Sequence, residues 1–154
     1  MSESVSTYGV RLGVDVGSLR VGVAASDASG VLATPLVTLP RSGSVQAVVR
    51  LVDEHAAVAV VVGLPTSLSG RPGPAPGLAR AYADELATVL ADRPRPVAVH
   101  LADERLTTVI ASRNLSDRGV RGKRQRAVVD QAAAVLILQS WLDREGGAHG
   151  GQRP

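Results

Sequence analysis

A short apolar run in the middle of the chain places the strongest constraint on the fold. Residues 58–62 read Val-Ala-Val-Val-Val, which is typical of a strand buried on both faces within a parallel sheet. Earlier in the chain, apolar residues alternate with others from Val10 to Val16, and a second strand is predicted from Val21 to Ser26 after a short turn. A third short strand is expected at Leu36–Leu39. Early hairpins followed by a buried strand indicate a mixed sheet.

Helical and extended segments alternate along the rest of the chain. A first helix, capped by Ser42 or Ser44, is predicted from valines three or four residues apart, namely Val45, Val48, Val49 and Val52. The later elements are a helix from Leu78 to about Asp92, a strand at Val97–Ala102, a helix from about Thr107 and a helix from about Arg124 to Asp143. We therefore expect an α/β fold in which helices pack on a mixed sheet with three early antiparallel strands. It forms one domain, residues 9–143, between flexible tails at 1–8 and 144–154.

The composition excludes several kinds of site. The chain has no cysteine, so disulfides, thiolate zinc sites and thiol nucleophiles are ruled out. Aromatic residues make up 2% of the chain, too few for a base-stacking platform on single-stranded nucleic acid. No apolar run approaches the length that crosses a bilayer, and the first ten residues lack the pattern of a signal peptide. A cytoplasmic protein without a membrane partner is expected.

Two acidic residues lie in predicted strands where a purely structural explanation is difficult. Asp15 falls on the face of the first strand opposite its apolar row. Asp103 and Glu104 follow the strand that begins at Val97, and alternation places Glu104 on its less apolar side, with Ala98, His100 and Ala102. Glu104 is therefore the better candidate to share a site with Asp15.

A third acidic residue, Asp130, interrupts a helix that is apolar nearly all round from Ala127 to Leu142. An unpaired carboxylate in such a helix would be costly, so it must cap the helix, form an ion pair or bind a metal. Carboxylates that converge from distant segments need cations to offset their repulsion, and their hard oxygens select Mg²⁺ or Mn²⁺. Such a site can hold two metal ions about 4 Å apart and hydrolyse a phosphodiester.

Basic residues precede and enter the last predicted helix, namely Arg118, Arg121, Lys123, Arg124 and Arg126. Cations at a helix N-terminus oppose the helix dipole, and a bound phosphate backbone would remove that conflict. A solvated charged loop is the alternative. A second loop, Gly63–Arg71, follows the buried strand at a position where α/β proteins often bind ligands. Both loops are candidates for contact with nucleic acid.

Four segments together resemble the YqgF/RuvX family of pre-16S rRNA nucleases, which is also described as Holliday-junction-resolvase-like. They are GVDVGSLRVGVA at 13–24, VGLP at 62–65, DERLTT at 103–108 and VDQAAA at 129–134. The combination with DERLTT is highly specific, and the similarity spans roughly residues 9–143. One departure is the segment 71–76, which is richer in proline than the polar stretch usual in the family.

The resemblance implies a ribonuclease H-like fold, metal-dependent phosphodiester hydrolysis and a homodimer. It places the family's catalytic and metal-binding acids on Asp15, Glu104 and Asp130, and its motif arginines on Arg20 and Arg105. With these arginines, we predict a nucleic-acid-binding set that also includes Arg71, Arg118, Arg121, Lys123 and Arg124.

The natural substrate is left open between the 5′ end of precursor 16S rRNA and branched DNA, because both are read largely through shape and backbone. Two alternatives belong to other classes. One is a non-catalytic nucleic-acid-binding protein that uses the basic loop alone. The other is an actin- or sugar-kinase-like ATPase, since residues 15–18 resemble the first phosphate loop of that superfamily. Those ATPases pair two such domains around the nucleotide, whereas 154 residues supply one.

Overall fold

The computed structural model describes residues 8–17, 19–64, 76–103 and 123–150. Strands and helices alternate within these ranges much as the sequence predicts. In chain order they are β1 (Arg11–Val16), β2 (Arg20–Ser26), β3 (Ala33–Pro40), α1 (Ser44–His55), β4 (Ala59–Leu64), α2 (Pro76–Ala91), β5 (Ala98–Asp103) and α3 (Lys123–Gly150).

The strands form one five-stranded sheet in the order β3-β2-β1-β4-β5. β1 and β2 pair antiparallel, as do β2 and β3, whereas β1, β4 and β5 run parallel. The predicted mixed α/β sheet with three early antiparallel strands is therefore confirmed. The buried run at 58–62 contributes the interior strand β4, which lies between β1 and β5.

Helices cover both faces of the sheet, and strand alternation decides which side chains each helix meets. Leu12, Val14 and Val16 of β1 join a core with the four predicted valines of α1 and with α2. On the opposite face, Ala133, Ala134, Ile137, Leu138 and Leu142 of α3 pack on Ala24, Val61 and Ala102 of the sheet. Asp15 alternates with the first set, so it faces α3.

Two boundaries differ from the predictions for local physical reasons. The serine cap of α1 is wrong: the residue before the helix is Gly43, in the left-handed conformation, and no side chain caps the helix. Ser44 instead donates its hydroxyl to the carbonyl of Arg41. β3 is longer than predicted because it pairs with β2 over Ala33–Pro40. A bulge at Leu36 interrupts the ladder beside Pro35, which has no N–H to donate.

The last helix also extends further than predicted. It continues to Gly150, so residues 144–150, expected to belong to a flexible tail, are helical. A helix that is already nucleated adds a hydrogen bond for each further residue, which lets it continue past the buried Leu142 and the exposed residues 143–145. Residues 65–75 and 104–122 lie outside the described residues, and with them the predicted helix from Thr107 and most of the two predicted loops, Leu64–Pro76 and Ser116–Lys123. None of the described helices is long and apolar enough to cross a membrane.

Candidate active site

Asp15 is buried within the sheet, where a carboxylate is costly without compensating contacts. It is the fifth residue of β1, and 4% of its surface is exposed. Its register partner on β2 is Gly22, whose partner on β3 is Thr38. These three residues form a row across the sheet on the face that α3 covers.

Asp130 approaches this row through the backbone of α3. A Cβ atom built on Gly22 would lie 2.5 Å from the carbonyl carbon of Asp130 and closer still to its oxygen. The helix backbone therefore rests directly on β2 at the position that pairs with Asp15. Asp15 and Asp130, which the sequence places 115 positions apart, belong to one region of the structure.

Arg20 lies at the first position of β2 and forms an ion pair with Asp130. Its Nε donates to Asp130 Oδ2 over 2.5 Å. The arginine side chain is 34% exposed and the aspartate side chain 17%, so the pair is only partly shielded from water. The guanidinium brings one positive charge to a region that holds at least two carboxylates, which lowers their mutual repulsion.

Arg41, which follows β3, hydrogen-bonds to the turn that ends at Arg20. The turn is closed by a hydrogen bond from Gly17 N to Arg20 O at 2.9 Å. Arg41 then donates its backbone N–H to Leu19 O at 2.8 Å and its Nη1 to Gly17 O at 3.1 Å. The guanidinium of Arg41 also lies 5.7 Å from the ring centre of Tyr82 on α2. This turn is thus connected to helices on both faces of the sheet, to α2 through Arg41 and to α3 through Arg20.

The end of β5 lies at the same edge of the sheet as Asp15, because β1, β4 and β5 are parallel. Ala102 is buried against α3, which confirms that Ala98, His100 and Ala102 share the face of Asp15. Glu104 lies outside the described residues, as do Arg71, Arg105, Arg118 and Arg121. Lys123 and Arg124 occupy the first turn of α3.

The described acids fit part of a metal site. In the described ranges no group of three or more histidine, aspartate or glutamate residues is arranged to hold a metal. Asp15 and Asp130 nevertheless supply hard oxygen donors on one face of the sheet, near the carboxyl ends of its parallel strands. This donor chemistry suits Mg²⁺ or Mn²⁺ once a further oxygen ligand completes it.

Sequence reasoning did not single out four residues of this region: Gly22, Thr38, Arg41 and Gln131. Gly22 and Gln131 lie inside segments that carry the family resemblance, so the resemblance marked their segments, but the sequence offered no physical reason for either residue. Thr38 and Arg41 carried no local signal, because the contacts that matter here join Thr38 to Gln131, 93 positions away, and Arg41 to Gly17, 24 positions away.

The chain is similar to a known family and to several sequences that carry the name of a nuclease. A family model described as "RuvX: Holliday junction resolvase" matches residues 9–144. A protein of Mycobacterium ulcerans is 53% identical over 147 residues, which cover 94% of this chain and 84% of the relative. A protein of Rhodococcus erythropolis is 49% identical over 142 residues, covering 88% and 78%. Both relatives carry the name "Putative pre-16S rRNA nuclease".

Among solved structures, the fold is similar to that of Thermus thermophilus RuvC in complex with a Holliday junction substrate. The TM-score is 0.55 at 17% identity, and the alignment covers 91% of this chain and 97% of that one. At this identity the likeness concerns the fold alone, and it confirms the predicted ribonuclease H-like class.

Proposed function

The chain belongs to the RuvX family of nucleases, and on that premise we propose that it hydrolyses phosphodiester bonds with divalent metal ions bound by Asp15, Glu104 and Asp130. The observation that carries the proposal is the contact of Asp130 with Gly22, the register partner of Asp15. A protein that only bound nucleic acid would have no use for carboxylates gathered on a covered face of its sheet. Membership of a nuclease family also favours an enzyme over a non-catalytic nucleic-acid-binding protein.

The residues divide into three tasks. Asp15 and Asp130 would hold Mg²⁺ or Mn²⁺ with Glu104, which follows β5 directly in the sequence. Strand alternation in the sequence predicts that Glu104 shares a face with Ala98, His100 and Ala102. The bound metal supplies Lewis-acid stabilisation of phosphate oxygens and a water of lowered pKa. Arg20 orients the carboxylate of Asp130 by the ion pair described above. The cations Arg71, Arg105, Arg118, Arg121, Lys123 and Arg124 would bind the phosphate backbone.

For the substrate we propose the 5′ end of precursor 16S rRNA, cut in the cytoplasm. The names of the relatives from Mycobacterium and Rhodococcus support this choice. The second candidate is a branched DNA junction cut by a homodimer, which the description of the family model supports. Separating a four-way junction into two duplexes takes two symmetric cuts, so a dimer would present one site to each.

Cleavage assays on both substrates test the proposal. Labelled pre-16S RNA and a synthetic four-way DNA junction are incubated with the protein and Mg²⁺ or Mn²⁺, with and without EDTA. We expect Asp15→Asn to lower the cleavage rate at least about 100-fold on the true substrate, because it removes a charged ligand. Asp84→Asn is the matched control, since Asp84 lies exposed on α2, across the sheet from the site. Full cleavage by Asp15→Asn would disprove the site.

The dimer is tested separately by sedimentation. Equilibrium runs on the protein alone and with an uncleavable junction measure the number of copies per complex. Two copies on the junction, with faster cutting of the junction than of the RNA, would establish the second candidate. One copy, with faster cutting of the RNA, would establish the first.

A further inference from the structure

The middle position of the row across the sheet carries no side chain. Asp15, Gly22 and Thr38 are register partners on β1, β2 and β3. The row faces α3, so the helix meets the polar side chains of Asp15 and Thr38 at the two ends of the row and only backbone at Gly22 between them. The helix can therefore come closer at Gly22 than any side chain would allow.

The closeness at Gly22 leaves no room for a methyl group. A Cβ at this position would lie 2.5 Å from Asp130 C and 3.1 Å from Asp130 Cβ, whereas real Cβ atoms stay beyond 3.0 Å from such neighbours. The obstructing atoms belong to the helix backbone, which cannot rotate aside as a flexible side chain would. An alanine would push the start of α3 away from the sheet by about 1 Å, and displacements of that size can cost about 100-fold in rate.

A hydrogen bond beside Gly22 limits the rotation of the same helix. Gln131 Nε2 donates to Thr38 Oγ1 over 3.1 Å. Gln131 directly follows Asp130, and successive helical residues point about 100° apart around the axis. When Gln131 is held to β3, the direction of Asp130 is therefore set as well.

We propose that Gly22, Thr38 and Gln131 are positioning residues of the nuclease site. Gly22 sets the depth at which α3 meets the sheet, and the Thr38–Gln131 bond sets the rotation of the helix. Together they place the carboxylate of Asp130 beside Asp15, so that both bind the same metal. This inference rests on the proposed function, because it assumes that Asp15 and Asp130 are metal ligands.

The rotation is tested with a matched pair of glutamines on α3. Gln139, eight residues after Gln131 and about 12 Å away along the axis, accepts from Ala33 N and donates to Val31 O, both at 2.9 Å. It therefore links the same helix to the β3 region, but far from Asp130. Gln131→Ala should weaken Mn²⁺ binding, measured by calorimetry, about 10-fold, and it should lower kcat while changing KM little. Gln139→Ala should leave the Mn²⁺ affinity within twofold of the wild type while lowering the melting temperature at least as much.

The depth is tested with a matched pair of glycines. Gly13 also faces α3, where a Cβ would lie 2.6 Å from Leu138 Cβ and 3.0 Å from Ala134 O. Gly22→Ala should weaken Mn²⁺ binding about 100-fold, whereas Gly13→Ala should lose thermal stability with a much smaller loss of affinity. Thr38→Val, which keeps the shape of the side chain and removes its hydroxyl, should repeat the effect of Gln131→Ala. If Gly22→Ala does not fold, Thr38→Val and Gln131→Ala decide the proposal through the rotation of the helix.

The results separate this inference from the proposed function. If Asp15→Asn leaves Mn²⁺ binding unchanged, both are overturned, because the metal does not bind at this site. If Asp15→Asn abolishes binding while Gln131→Ala and Gln139→Ala bind Mn²⁺ equally well, the proposed function stands and the positioning role is disproved.

Discussion

Arg20 and Asp130 lie 110 positions apart in the chain and form an ion pair, with Nε and Oδ2 separated by 2.5 Å. Arg20 begins β2, immediately after the turn that follows the strand of Asp15. Asp130 lies in the helix that covers that strand. The pair thus joins the two elements that bring the candidate carboxylates together, and it can contribute to stability and to activity in separable ways.

A double-mutant cycle measures the stability contribution of this pair. Arg20→Ala, Asp130→Ala and the double variant, unfolded in urea with EDTA present, should give a coupling free energy of about 1 kcal/mol, because both side chains are partly exposed. The pair of Arg93 and Asp53, whose carboxylate side chain is 52% exposed, is the control and should couple more weakly. Equal coupling in the two pairs would show that burial against α3 adds nothing.

Packing of α3 on the sheet should dominate the stability of that helix. Leu138 is fully buried and lies against the backbone of Gly13. We expect Leu138→Ala to lower the free energy of unfolding by about 3 kcal/mol through lost burial and the cavity left behind. Leu19→Ala, at a site that is 74% exposed, should change it by less than about 0.5 kcal/mol. Urea titrations followed by circular dichroism give both values, and a loss below about 1 kcal/mol for Leu138→Ala would contradict this packing.

The buried hydroxyl of Tyr82 predicts a loss of stability in alkali. Burial raises the pKa of Tyr82 above its ordinary value near 10, and the hydrogen bond with Ser44 opposes this only in part. Ser44 already donates to Arg41 O, so Tyr82 donates to Ser44. Because the raised pKa means that the folded protein keeps its proton longer, stability is complete below pH 10 and falls as the pH rises through the folded pKa.

Unfolding in urea from pH 8 to 11 measures this effect. Tyr82→Phe should be less stable than the wild type at pH 8 by about 1 kcal/mol, since the Ser44 oxygen loses its donor. Its stability should also fall less steeply above pH 10. Parallel curves for the two proteins would show that Tyr82 does not ionise differently in the folded and unfolded states.

The turn between β2 and β3 predicts the opposite behaviour in acid. Asp27 Oδ1 accepts from the backbone N–H groups of Val31 and Leu32, each at 2.9 Å, and Asp27 also accepts from Ser29. These bonds, the one from Leu32 first, hold the pKa of Asp27 well below its usual range. Its stabilising contribution is complete above the unfolded pKa near 4 and is lost as the pH falls through the folded value. Asp27→Ala should therefore reduce the fall in melting temperature between pH 5 and pH 2. An unchanged fall would refute the effect.

The elements that the sequence predicted well are those whose pattern is local. The alternation in β1 put Asp15 opposite Leu12 and Val14, and the structure shows those two residues under α1 and α2. The predicted serine cap is wrong because the Ser44 hydroxyl hydrogen-bonds to the carbonyl of Arg41 and to the hydroxyl of Tyr82 instead. Tyr82 comes close to Ser44 only in the folded chain.

The residues of the candidate site also divide into those that the sequence indicated and those that only the structure shows. Burial logic indicated Asp15 and Asp130 as costly carboxylates, because the apolar residues around them are visible in the sequence. The roles of Gly22 and Gln131 were not visible, since each depends on an element far away in the chain. The pattern of a strand in the sequence does not distinguish a glycine against which a helix packs from a glycine that ends a turn.

The sequence by itself determined the α/β class, the faces of the strands and the identity of the costly acids, because side-chain periodicity and burial cost act between near neighbours. Only the tertiary structure decided that Asp130 packs on Gly22, the register partner of Asp15, and how closely α3 approaches β2. It also decided that Arg20 forms an ion pair with Asp130. These relationships arise from close packing of backbone against backbone, where the absence of one methyl group at Gly22 sets the distance between two elements.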